Sequence, residues 1–123
     1  MKDVASEAQE QRALFQWIAY NTGKWPELRL CYHVPNGGSR NPLEAHNLKM
    51  QGVRRGVPDI VLPVPRGGYH GLYIELKRRK GGMLSEDQKV WIDRLNHLGY
   101  RAVVCRGWDA ARAEIETYLR AGQ

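Results

Sequence analysis

The chain predicts an α/β domain with a central mixed sheet flanked by helices. Three observations point there. Two amphipathic stretches each open with a capping-box tetrad, Ser6-Glu7-Ala8-Gln9 and Ser85-Glu86-Asp87-Gln88. Two apolar runs, residues 57–64 and 69–78, are separated by Arg66-Gly67-Gly68 and read as a hairpin. A short buried run at 101–105 then follows the second amphipathic stretch, which is the order of a strand, a crossover helix and a second strand.

Taken in order, the first helix opens at Ser6 and carries Leu14, Phe15 and Ile18 on one face before fading at Asn21-Thr22-Gly23. Residues 28–34 alternate Leu30, Tyr32 and Val34 with Arg29, Cys31 and His33, which predicts a strand. Pro35-Asn36-Gly37-Gly38-Ser39 has the chemistry of a loop. Asn41 as cap, Pro42 at the first helical position and Gly52 beyond the end predict a short second helix. In the hairpin, Pro63 argues for an edge or an early end to pairing. On the return strand Leu72, Ile74 and Leu76 share one face, while Tyr73, Glu75 and Lys77 share the other. The second capping box opens a helix with Trp91, Leu95 and Leu98 on one stripe and Gly99 as its stop. After the strand at 101–105, a last helix starts near Asp109 and packs Ala111, Ile115, Tyr118 and Leu119.

The 123 residues suit one domain, here expected over 1–123. Nineteen Lys and Arg against thirteen Asp and Glu leave a formal charge of +6, which favours a polyanionic partner. No apolar run is long enough to span a bilayer, and residues 1–7 lack the apolar centre of a signal peptide. A soluble cytoplasmic protein with no membrane partner is therefore expected. Cys31 and Cys105 form neither a disulfide framework nor a metal knuckle. No Gly-rich phosphate loop or Rossmann spacing is present, which disfavours a cofactor-dependent α/β enzyme.

Three acids stand out by where they point. On a helical wheel Glu7 lies about 20° from both Leu14 and Ile18, at the centre of the buried stripe, with Gln11 one turn along. Glu10 falls about 60° away and is expected to reach solvent more easily. The bland alternative is that Glu7 is an ordinary first-turn acid favoured by the helix dipole. Asp59 follows Pro58 at the head of the first hairpin strand, and closing the hairpin brings it near Glu75. Two such carboxylates repel unless a cation neutralises them, and with no Cys or His cluster the fitting ion is Mg²⁺ or Mn²⁺. Lys77 leaves the same face as Glu75. A bare Glu-x-Lys is weak evidence, since a cross-strand ion pair on a solvated face would look the same. Its conjunction with Pro58-Asp59 and the Gly-Gly turn is what strengthens it.

Gly56-Val57-Pro58-Asp59 followed by Glu75-Leu76-Lys77 resembles the PD-(D/E)XK nuclease signature, and the fuller pattern resembles its VRR-NUC branch. The likeness runs over nearly the whole chain. It takes in Glu7 with Gln11, Pro35-Asn36-Gly37-Gly38 with Arg40, Lys49, Gly52, and Leu84-Ser85 with Gln88. The resemblance implies a restriction-endonuclease-like core and a metal-dependent DNA endonuclease leaving 5′-phosphate and 3′-hydroxyl ends. It implies that Glu7, Asp59, Glu75 and the backbone carbonyl of Leu76 hold the metal, that Lys77 is the catalytic lysine and that Gln88 projects into the site. Small stand-alone members resemble homodimeric Holliday-junction resolvases, which is the expected form here. A flap or nicking nuclease, or an inert DNA-binding module, is the alternative. Arg40, Lys49, Arg54, Arg55, Arg78, Arg79 and Lys80 are the expected phosphate contacts, read by backbone and shape because no base-reading motif is visible.

Overall fold

The computed structural model describes residues 4–35 and 41–122. Its elements are α1 (Glu7–Asn21), a 3-10 turn (Pro26–Leu30), β1 (Tyr32–His33), α2 (Pro42–Met50), β2 (Ile60–Leu62), β3 (Leu72–Lys77), α3 (Glu86–His97), β4 (Arg101–Arg106) and α4 (Trp108–Arg120). The strands form one mixed sheet in the order β1-β2-β3-β4. The first three pair antiparallel, and β3 pairs parallel with β4 through the α3 crossover.

Leu72, Ile74 and Leu76 of β3 are almost wholly buried and join Leu14 and Ile18 of α1 and Ala111, Ile115, Tyr118 and Leu119 of α4 in one core. The period-2 alternation therefore sends the aliphatic side of β3 toward α1 and α4. The opposite side carries Tyr73, Glu75 and Lys77 and faces α3. There Asn96 caps the start of β4 by bonding both the N–H and the carbonyl of Ala102, at 3.0 Å each. Both expected capping boxes form at the two predicted helix starts. Pairing in β2 stops at Leu62, just before Pro63, whose ring removes the ladder donor.

The structure corrects residues 28–34. Rather than a seven-residue strand, Pro26 opens a 3-10 turn that drops Leu28 into the core, and only Tyr32 and His33 pair. The alternation there did not report burial, since Leu30 and Tyr32 are both exposed. Trp17 and Trp25 are half-buried and pack against the core. Among the described residues no helix is long and apolar enough to cross a membrane.

Candidate active site

The site lies at the C-terminal ends of the parallel pair β3 and β4. Ile60 faces Ile74 across the β2–β3 ladder, and extending that register by one step sets Asp59 opposite Glu75. Asp59 Oδ1 accepts from the Leu76 N–H at 2.9 Å, taking the place a strand carbonyl would occupy. A strand residue sends its N–H and C=O to the same edge. The Leu76 carbonyl therefore leaves on the Asp59 side, while the Lys77 carbonyl goes the other way and accepts from Gly107 N at 2.9 Å.

Glu75 is only 3% exposed. Its Oε2 accepts from Gln88 Nε2 at 3.1 Å and lies 3.8 Å from the Lys77 ammonium. Its Oε1 is buried with no hydrogen-bond partner among the described residues. The orientation of Gln88 follows from the α3 cap. Gln88 Oε1 accepts from Ser85 N at 2.9 Å, which leaves the amide nitrogen to donate toward Glu75. The same helix start fixes Gly56. A Cβ there would come within 2.5 Å of the Asp87 backbone, and its φ of +88° is one that L side chains rarely adopt. Glycine at 56 thus lets the segment leading to Asp59 lie flat against α3.

Burial pushes the Glu75 carboxyl up to about 8, and the neighbouring Asp59 charge adds to this while Lys77 opposes it. Burial likewise raises Asp59 to about 6, against the pull of the Leu76 N–H and of His33, whose Nδ1 lies 2.9 Å from the Asp59 carbonyl oxygen. Glu7 contributes to raising both. Two desolvated carboxylates that disfavour each other's charge, one with an orphan oxygen, leave a deficit of positive charge.

Glu7 and Glu10 exchange the burial expected of them. Glu7 is exposed and Glu10 is 2% exposed. The wheel located the stripe correctly through Leu14 and Ile18. It could not show that Arg79 and the start of α4 supply partners for Glu10, whose Oε1 accepts from Trp108 N at 3.0 Å. Glu7 nonetheless borders the site, since a Cβ built on Gly82 would lie 3.9 Å from Lys77 Cδ and 4.0 Å from Glu7 Oε2. Among the described residues no three His, Cys, Asp or Glu side chains stand close enough to enclose an ion. Asp59 and Glu75 stand opposite each other in register, with the Leu76 carbonyl leaving on the Asp59 side and Glu7 at the rim. All are oxygen donors, and Mg²⁺ commonly takes one or two carboxylates and keeps several waters. The donor set therefore fits a hard divalent cation.

A sequence profile described as the VRR-NUC domain matches residues 2–109. The chain belongs to the VRR-NUC family. VRR-NUC is a PD-(D/E)XK-type nuclease domain, so the activity class is nuclease and the substrate class is DNA. A solved structure titled "VRR_NUC domain protein" is similar at 30% identity and a TM-score of 0.85, over 98% of this chain and 93% of that one. No curated protein matches the chain. Against the VRR-NUC pattern, Lys49, Arg54, Arg55, Arg78 and Lys80 are exposed. Arg79 is exposed as well, and its guanidinium also pairs with Glu10 and Asp109. Arg40 and the Asn36-Gly37-Gly38 loop lie outside the described residues. Sequence reasoning did not single out Arg106, weighed Glu10 only as the more solvent-accessible rival of Glu7, and quoted Gly56 only as part of the signature.

Proposed function

We propose that this chain is a divalent-metal-dependent DNA endonuclease, a single 1–123 domain acting as a homodimeric four-way-junction resolvase. One observation carries the reading. Asp59 and Glu75 face each other in register with Lys77 beside them, and both acids sit in surroundings that disfavour their charge. A structural ion pair would not need the second acid, nor would it leave Glu75 Oε1 without a partner among the described residues.

Asp59, Glu75 and the Leu76 carbonyl would hold Mg²⁺ or Mn²⁺, with Glu7 joining from the rim. When bound, such an ion would supply positive charge against the phosphate and make water a better nucleophile at neutral pH. Gln88 fixes Glu75 through Oε2, so that Oε1 is the oxygen left for coordination. Lys77 offsets charge on the attacking side and holds the water in line with the scissile phosphorus. The new oxygen–phosphorus bond forms as the bond to O3′ breaks. The product ends are a 5′-phosphate and a 3′-hydroxyl, the leaving oxygen having taken a proton. Exposed Lys49, Arg54, Arg55, Arg78 and Lys80 would hold phosphates on either side. Support for a second copy comes from α2, which buries none of its residues and exposes Leu43 and Met50, and from exposed Leu30 and Tyr32 at the β1 edge.

The test presents labelled four-way junctions, flaps, plain duplex and single strands with Mg²⁺ or Mn²⁺, beside a Lys77→Ala control. Paired symmetric cuts in the junction support the resolvase. Cutting of flaps alone reassigns the substrate, and binding without cutting under either metal overturns the nuclease reading.

A further inference from the structure

Glu10 is an acid buried without being part of the proposed metal set. Its oxygens reach two segments distant in sequence. Oε1 accepts from Trp108 N at 3.0 Å, at the start of α4, and Oε2 lies 3.1 Å from Arg79 Nε. Arg79 Nη2 continues to Asp109 Oδ1 at 2.8 Å. Gly107 makes room for this arrangement, because a Cβ there would stand 2.8 Å from Arg79 Cζ. From the other side Arg106 donates to three carbonyls of the same segment, those of Arg78 at 3.2 Å, Gly81 at 2.7 Å and Gly82 at 2.9 Å. Residues 78–82, which directly follow Lys77, are thus gripped from both flanks.

We propose that the Glu10–Arg79 pair is a positioning lock for the nuclease site, and that Arg79, although its side chain is 45% exposed, serves to hold buried Glu10 rather than to contact DNA. The proposal rests on the nuclease reading above. Glu10 lies three residues after Glu7 on α1, so anchoring it to Arg79 and Trp108 N fixes the rotation of the helix that presents Glu7. Arg79 lies two residues after Lys77, so the same ion pair fixes the exit of β3. Gly82, held by Arg106, then stands between the Lys77 stem and Glu7. Reacting groups displaced by about 1 Å can lose about 100-fold in rate. A loosened lock therefore lowers turnover without altering the phosphate-binding surface.

The test compares Glu10→Gln, Arg79→Gln, the double variant and Arg79→Lys with the wild-type chain. Glu10→Gln keeps an oxygen for Trp108 N and loses the charge that faces Arg79. Arg79→Gln leaves a buried carboxylate unpaired and can unfold, whereas the double variant is neutral at both positions. The lock predicts that kcat falls about tenfold in Glu10→Gln, as misplacement of catalytic groups does. The KM for DNA should stay within about twofold, because lost positioning leaves ground-state binding alone. The double variant should be no slower than the worse single variant, and Arg79→Lys should recover most of the rate. The slope of log binding constant against log salt, measured for the double variant, should equal that of Glu10→Gln. A slope shallower by about 0.9 would make Arg79 a phosphate contact and overturn the proposal. Unchanged kcat in Glu10→Gln also overturns it. Absence of any cutting by the wild-type chain is a different result, which removes the nuclease reading and the lock with it.

Discussion

Replacing Glu75 with glutamine should stabilise the metal-free protein while destroying its activity. The Glu75 carboxyl stands at about 8 instead of the ordinary 4.5. At pH 8 the unfolded chain is therefore ionised at this position, while the folded chain resists ionisation. Folded stability falls as pH rises from the unfolded value toward about 8, because the folded state binds the extra proton. At about 1.4 kcal/mol per pH unit the penalty is several kcal/mol. Water penetration and the amide's own polarity reduce what Glu75→Gln recovers to about 2 kcal/mol. The amide oxygen can still accept from Gln88. Thermal unfolding at pH 8 in EDTA should then show the variant melting on the order of 5 °C higher. At pH 4 the carboxyl is largely protonated in both states and the difference should nearly vanish. A variant equally or less stable than wild type at pH 8 in EDTA would refute the claim that Glu75 is held at a cost.

Other outcomes follow from the same geometry. Lys77→Ala should lower cleavage by about 10³-fold or more, in line with removal of a transition-state contact, while DNA affinity in a gel-shift assay stays within about threefold. Asp59→Asn should abolish cleavage and leave DNA affinity nearly intact; equal loss of both in a paired binding and cleavage assay would remove its metal role. Mn²⁺ should raise the wild-type melting temperature more at pH 8 than at pH 5, because a cation relieves ionised carboxylates and has less to relieve when they are protonated. Gly56→Ala should destabilise by about 1–3 kcal/mol in urea unfolding, because the methyl meets the Asp87 backbone and φ is positive.

The fold was legible where local chemistry and periodicity agreed. Both capping boxes named their helix starts, and Ile74 flanked by Tyr73 and Glu75 announced a strand with one aliphatic and one polar face. It was illegible at residues 28–34, where an apparent alternation hid a 3-10 turn set by Pro26 and a core anchor at Leu28. Asp59, Glu75 and Lys77 could be joined from sequence because one hairpin register relates them. Glu7 against Glu10 could not be resolved in this way. A helical wheel ranks positions by angle, whereas burial of a carboxylate depends on which donors arrive from elsewhere. Here they come from Arg79 and Trp108, about 70 and 100 residues downstream. The Arg78-Arg79-Lys80 run shows the same limit. It reads as a single basic patch, and although all three residues are exposed, Arg79 also pairs with a buried acid from α1.

Manganese titration by calorimetry at pH 7.5 is the most direct probe of the site, comparing the wild-type chain with Asp59→Asn and Glu75→Gln. As the proposed ligands, Asp59, Glu75 and the Leu76 carbonyl predict saturable uptake by the wild-type protein, lost or greatly weakened in both variants. Wild-type protein that takes up no manganese, or variants that bind it as well, would contradict the assignment.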